Sequence, residues 1–186
     1  ELSIAEIKSL HQSYADAARR ALAAGFEWLE LHFAHGYLAQ TFLSEHSNLR
    51  DDAYGGNFDN RSRFLLETLA AVREVWPEHL PLTARLGVIE YDGRDEQTLS
   101  EAIELTRRFK DGGLDLLSVS IGFTIPESNV PWAPGFMGEV TQRVRRETGI
   151  AVASAWGFGT PSVAEEAVRS GQLDLAMIGR AHLGNP

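Results

Sequence analysis

The feature that most constrains this chain is a helix-then-strand hydrophobic pattern that recurs five times. Ser3 and Glu6 have capping-box spacing, and Ile4, Ile7, Leu10, Tyr14, Ala17, Ala18, Ala21 and Leu22 form one helical stripe that ends at Gly25. A strand is expected over Phe26 to Phe33, followed by a long polar loop over residues 34 to 60. The next helix carries Phe64, Leu65, Leu69, Val72 and Val75, stops at Pro77, and gives way to the strand LTARLGV. A helix around Leu99, Ile103 and Phe109 ends at Gly112 and Gly113 before LDLLSVSIG, and one holding Val140 and Val144 ends at Gly149 before IAVASAWG. Thr160 and Pro161 supply N-cap and first-turn residues for a last helix, which closes at Gly171 before LDLAMIGR.

Strands and helices alternating at this interval, without hairpin signals, predict an α/β fold with a parallel sheet and right-handed crossovers. Two architectures qualify, a doubly wound sheet and a (β/α)8 TIM barrel. Trp28, Glu30 and His32 alternate with Leu29, Leu31 and Phe33, and Thr83, Arg85 and Gly87 alternate with Leu82, Ala84 and Leu86. A doubly wound sheet is covered by helices on both faces and is apolar on both, whereas a barrel can hold polar groups at its lumen. The pattern therefore favours the barrel. Eight strands typically need ~250 residues, so five in 186 residues make an incomplete barrel, a single domain over 1–186 without linker or repeat.

Composition narrows the function. At 44% hydrophobic, the chain can bury a substantial core. A net charge of -9 with no long basic tract argues against nucleic acid and against an anionic membrane surface. There are no cysteines, which excludes disulfides and thiolate metal sites and makes a cytoplasmic location the simplest expectation. No apolar stretch approaches a membrane span, and the amphipathic amino end has no signal-peptide pattern. The missing initiating Met suggests a start inside a longer product, or processing.

Ligands of parallel α/β proteins collect at the carboxyl ends of strands. Those ends hold His32, His35 and Tyr37, then Arg85, Ser118 and Ser120, Ala155, Trp156 and Gly157, and finally Gly179 and Arg180. The two histidines lack a third ligand and the HExxH spacing, which disfavours a metal site. Two readings stay open for them: strand capping with loop packing, or a pair of donors converging on one substrate oxygen. In the second, each donor is typically worth roughly a hundred- to thousandfold in rate. Tyr37 is either a proton source or ordinary aromatic packing. Arg85, inside a strand, needs a partner, either Glu30 on the neighbouring strand or an electron-rich ligand. The endings AWGFGT and IGR suit a phosphate, whose oxygens small glycines let backbone N–H groups approach, with Arg180 as a forked contact.

The stretch HFAHGYLAQTFLSEHSNLRDDAYGGNFDNRSRF, with TARLGV, SVS, ASAWGFG and IGRAHL following in that order, strongly resembles the Old Yellow Enzyme family of FMN-dependent ene-reductases. The resemblance spans essentially the whole chain and is closest to the xenobiotic reductase branch. It implies an FMN-bearing TIM barrel in which NADPH or NADH reduces the flavin, which then reduces an activated alkene, an enone or a nitro compound. His32 and His35 would grip the substrate oxygen and Tyr37 would deliver the proton. Arg85 would face the pyrimidine end of the flavin, and Ala155, Trp156, Gly157, Gly179 and Arg180 would surround the ribityl phosphate. Asn60, Arg61 and Arg63 match a family element expected to brace the long loop, and Glu45-His46 stands where other branches have Ser-Pro. The five strands correspond to strands 4 to 8, so strands 1 to 3 and the C-terminal extension are expected to be absent. Two open strand edges then invite a homo-oligomer or a complementary N-terminal half-barrel. The competing expectations are a noncatalytic excised or designed half-barrel and a flavin-independent phosphate-binding barrel. The second lacks a Schiff-base lysine at any strand end, since Lys8 and Lys110 are the only lysines and both sit in helical patterns.

Overall fold

The computed structural model describes residues 1–184. Helix α1 (Ile4–Ala23) starts where Ser3 Oγ accepts the Glu6 N–H and the Glu6 carboxylate accepts the Ser3 N–H, the reciprocal capping box. It buries Ile7, His11, Ala15 and Ala18. Strand β1 (Leu29–Phe33) follows, three residues shorter at its start than the sequence pattern suggests, and Phe26 stands exposed before it. The expected long loop is interrupted by a short helix, α2 (Leu38–Leu43), and α3 (Phe58–Arg73) begins earlier than expected. Asn57 caps α3 by accepting the Asn60 N–H. Then come β2 (Leu82–Ile89), α4 (Asp95–Asp111), β3 (Leu116–Ile121), α5 (Gly138–Thr148), β4 (Ala151–Ser154), α6 (Pro161–Arg169), β5 (Leu175–Ala176) and α7 (Arg180–Gly184).

All strand pairs are parallel and the sheet order is β1-β2-β3-β4-β5. Strictly consecutive order is what a barrel arc requires, whereas a doubly wound sheet reverses direction at a switch point. The two faces differ as the alternation anticipates. Leu31, Phe33, Ala84, Leu86, Leu117 and Val119 pack under helix residues such as Phe64, Leu69, Ile103 and Phe109 in one core. Glu30, His32, Thr83, Arg85, Ser118 and Ser120 lie on the other face, register-matched as His32 to Arg85 to Ser118. The fold is thus an incomplete barrel with helices on its outer surface. No described helix is long and apolar enough to cross a membrane.

Asn60, Arg61 and Arg63 brace the loop between α2 and α3. Arg61 is buried and donates to the carbonyls of Leu43 and Gly56 while pairing with Glu101 and Glu45. Arg63 donates to Ala53 O and Asn60 to Gly55 O.

Candidate active site

The carboxyl ends of the first three strands leave the sheet through an unusual turn. His35, Tyr91 and Phe123 have φ of 62°, 58° and 53°, a left-handed conformation that costs a non-glycine residue roughly 1–2 kcal/mol. Such strain concentrates where side chains must be aimed. Beyond β1 the chain turns through His35 and Gly36, and Tyr37 becomes the residue preceding α2. This brings three rings together, with His32 to His35 at 4.9 Å and His32 to Tyr37 at 5.6 Å between centroids. His32 and Tyr37 are exposed, and His35 is half-buried.

His35 reaches across β2 to Ser120 on β3, with Nε2 2.6 Å from Ser120 Oγ. Gly87 is the β2 residue paired with Ser120. A Cβ at Gly87 would overlap Gln40 Oε1 and come within 2.5 Å of Gly122 Cα. Trp156 Nε1 donates to the same Ser120 hydroxyl at 2.8 Å. That hydroxyl keeps both a second lone pair and its own proton, so it can hold His35 Nε2 in either tautomer of the ring. Burial, then the neighbouring His32 and Arg85, push His35 down to about 4. Burial and Arg85 also lower His32, against an opposing pull from Glu30. At neutral pH both rings are neutral, each with one N–H to donate.

Arg85 lies beside His32 in register. Its Nε sits 3.1 Å from Glu30 Oε1, so the interstrand ion pair foreseen as the packing alternative is present. The N–H is not directed along that contact, however, and the buried Nε makes no hydrogen bond. On the other side Nη2 meets only the Met177 thioether, at 3.8 Å, a weak acceptor. The guanidinium thus keeps donor capacity for something outside the chain.

Arg85, Ala155, Trp156, Gly157, Gly179 and Arg180 all line one cleft of 490 Å³, with Gly159, Thr160 and Met177 between them. The sequence-derived cofactor residues therefore converge. Their reasons differ. Gly157 has φ 82° and a Cβ there would lie 2.7 Å from Gly135 N and 2.8 Å from Ala133 O, so chain packing explains it. Gly159 and Gly179 have open space where a Cβ would stand and no left-handed φ, so nothing in the described chain requires glycine there. Thr160 precedes α6 but its side chain makes no capping bond, which leaves the first amides of that helix uncapped at the cleft. Two unexplained glycines, an uncapped helix start, the exposed Arg180 and a guanidinium with spare donors fit a phosphate-bearing planar group. Trp156 departs in part from its expected place, because its indole turns to His35 and Ser120, with ring centroids 6.0 Å apart in an edge arrangement. Its backbone alone is left to meet a phosphate.

Ser120, Phe123 and Met177 have contacts here that reading the sequence did not assign. Phe123 packs 6.1 Å from His35 and 5.7 Å from Trp156. Lys110 donates to Thr148 O and Gly149 O just before the start of β4, so its amine stands at the amino end of a strand and not at a carboxyl end where Schiff-base chemistry would need it.

Comparison with known proteins agrees with this geometry. A family model described as the NADH:flavin oxidoreductase / NADH oxidase family matches residues 1–186. The NADPH dehydrogenases of Geobacillus thermodenitrificans and Clostridium acetobutylicum are 39% and 37% identical over the full chain. The chain spans about half the length of these curated relatives, 54% in each case. Among solved structures, the old yellow enzyme homologue from Zymomonas mobilis superposes with a TM-score of 0.81 at 27% identity, covering 100% of this chain and 51% of that one. A 2-naphthoyl-CoA reductase superposes with a TM-score of 0.90 at 28% identity, covering 100% of this chain and 29% of that one. Its extent, its consecutive parallel strands and the converging cleft together place the chain in the NADH:flavin oxidoreductase / NADH oxidase family, among the Old Yellow Enzyme proteins that use FMN and NAD(P)H.

Proposed function

We propose that this chain carries the substrate-gripping and phosphate-binding parts of an NAD(P)H-dependent FMN ene-reductase, one that reduces the C=C bond of α,β-unsaturated carbonyl compounds and of nitroalkenes. The observation that carries the reading is the adjacency of two neutral imidazole donors and a phenol to a cleft holding Arg85 and two otherwise unexplained glycines. FMN reduced by NAD(P)H supplies the electron pair. His32 and His35 hold the carbonyl or nitro oxygen and draw electron density from the conjugated system, so the β-carbon becomes electron-poor. Ser120 fixes the His35 ring, and with the Ser120 hydroxyl as donor to Nε2 the ring keeps its Nδ1 proton for the substrate. Tyr37, exposed beside His32, gives its phenolic proton to the α-carbon, and solvent restores it. The net balance is alkene, NAD(P)H and one proton giving the saturated product and NAD(P)+.

Arg85 would hold the electron-rich end of the flavin with its fixed positive charge. Gly159, Gly179, Arg180 and the start of α6 would receive its phosphate. Glu45-His46 is consistent with the xenobiotic reductase branch, and the reliance on NAD(P)H with no cysteine is consistent with the cytoplasm. A second reading, a folding unit that needs a complementary half-barrel, is favoured by the outer edges of β1 and β5, which have no partner strand among the described residues.

Absorption spectra of the purified chain with and without FMN decide between them. Yellow protein that bleaches with NADPH supports catalysis, and colour only after addition of a complementary half supports the folding unit. Gly179→Ala isolates the phosphate site. With open space around the new methyl, thermal stability should change by no more than about 0.5 kcal/mol, while FMN affinity falls at least about tenfold, or 1.4 kcal/mol. Unchanged FMN affinity would remove Gly179 from the site.

A further inference from the structure

Glu90 follows β2 and is 2% exposed, yet no Lys or Arg among the described residues pairs with it. A buried carboxylate without a cation has to be held by hydrogen bonds. Both of its oxygens serve one residue of the loop between β3 and α5. Oε2 accepts the Thr124 N–H at 3.1 Å, and Oε1 accepts the Thr124 hydroxyl at 2.7 Å. Because that hydroxyl gives its proton to Glu90, the Ser44 hydroxyl 2.8 Å away is the donor to Thr124. Gly122 presses directly on the same carboxylate, since a Cβ at Gly122 would overlap Glu90 Oε1.

The residue between these two contacts is Phe123, left-handed at φ 53°. Its ring packs on His35 and Trp156, and its carbonyl seats so closely against Gly36 that a Cβ there would lie 2.6 Å from the oxygen. One carboxylate thus grips the chain on both sides of a strained residue, and that residue covers the imidazole. We propose that Glu90 is a positioning residue: by clamping Gly122 and Thr124 it holds Phe123 in its left-handed turn, and through Phe123 it fixes the packing of His35. The consequence for substrate binding rests on the ene-reductase reading, but the clamp itself does not.

The test is an NMR titration of the His35 ring in the full chain, which needs neither flavin nor turnover and so fails independently of that reading. The groups facing the ring are His32, Arg85, Ser120, Trp156 and Phe123. In the wild type the ring should stay neutral down to about pH 5. In Glu90→Ala the released Phe123 lets water reach the imidazole, and the midpoint should rise by about one unit toward the ordinary histidine range. Glu90→Gln keeps an acceptor oxygen for the Thr124 N–H and should restore most of the wild-type behaviour. A Glu90 that only stabilises the fold would lower the melting temperature in Glu90→Ala while leaving the His35 midpoint of the folded protein where it was, and that result overturns the proposal. If Glu90→Ala does not fold, Thr124→Val removes the shorter of the two bonds at nearly constant shape, and the same pair of outcomes applies.

Discussion

His35, Tyr91 and Phe123 are each the second residue beyond a strand end, and each takes a conformation that glycine would adopt without cost. Retaining a large ring at such a position makes sense only if the ring's direction matters, and two of the three rings meet. The neutrality of His35 has a measurable consequence. An unfolded histidine binds its proton near pH 6.5, whereas in the folded chain His35 binds it near about 4. Between these values the unfolded chain carries more protons, so the contribution of His35 is intact above pH 6.5 and is lost as pH falls toward 4. Solvent screening at this partly exposed ring reduces the effect to about 1–2 kcal/mol. Urea midpoints at pH 7 and pH 5 should therefore separate more in the wild type than in His35→Asn. Equal separation in both would show that the ring is not held neutral by the fold.

At the scale of elements, the motif Leu-Asp-Leu recurs at residues 114–116 and 173–175 and does the same work twice. Asp115 Oδ2 accepts the N–H of Leu82 at the start of β2, and its own N–H donates to Leu82 O. Asp174 makes the matching pair of bonds with Val152 in β4. Each aspartate sets where its strand begins against the previous one, and so sets which residues arrive at the far end together. Asp115→Ala would leave the amide of fully buried Leu82 without its side-chain acceptor, a loss of about 1–3 kcal/mol in chemical denaturation. A change within 0.5 kcal/mol would mean that the backbone bond alone sets the register. The helix-strand alternation was legible because each long helix carries a continuous apolar stripe and each strand has chemically distinct faces. Helix α2 was not, since LAQTFL is too short for a period to emerge. The strand-end residues were legible as a set because polar residues flanked by glycine have no place in a core. Their contacts were not: Ser120 lies 85 residues from His35 and is joined by Trp156 from beyond yet another strand, and no local pattern announces that. The left-handed turns were equally hidden, because His, Tyr and Phe do not announce positive φ.

For the molecule as a whole, the two edges of the arc are unequal. Strand β5 has two residues and offers almost no template, whereas β1 has five. Leu29 donates its N–H inward to Pro81 O, so alternation turns the amides of Glu30 and His32 outward, where no described strand receives them. Beside this edge Phe26 and Trp28 are 61% and 50% exposed, and at the other end of the arc Leu175 is 46% exposed. An open parallel edge next to exposed aromatic rings favours association, while a net charge of -9 opposes it by repulsion between copies. The repulsion is screened by salt and the apolar contact is not, so the balance should tip with ionic strength. Sedimentation of the chain alone should show a monomer at low concentration and low salt, and larger species as either rises. Phe26→Lys combined with Leu175→Lys should restore the monomer without loss of helix content, because neither side chain belongs to the buried core. A chain that stays monomeric at every concentration and salt level would show that the β1 edge is protected by its own twist and flanking charge, and that the lumen face needs no partner to remain soluble.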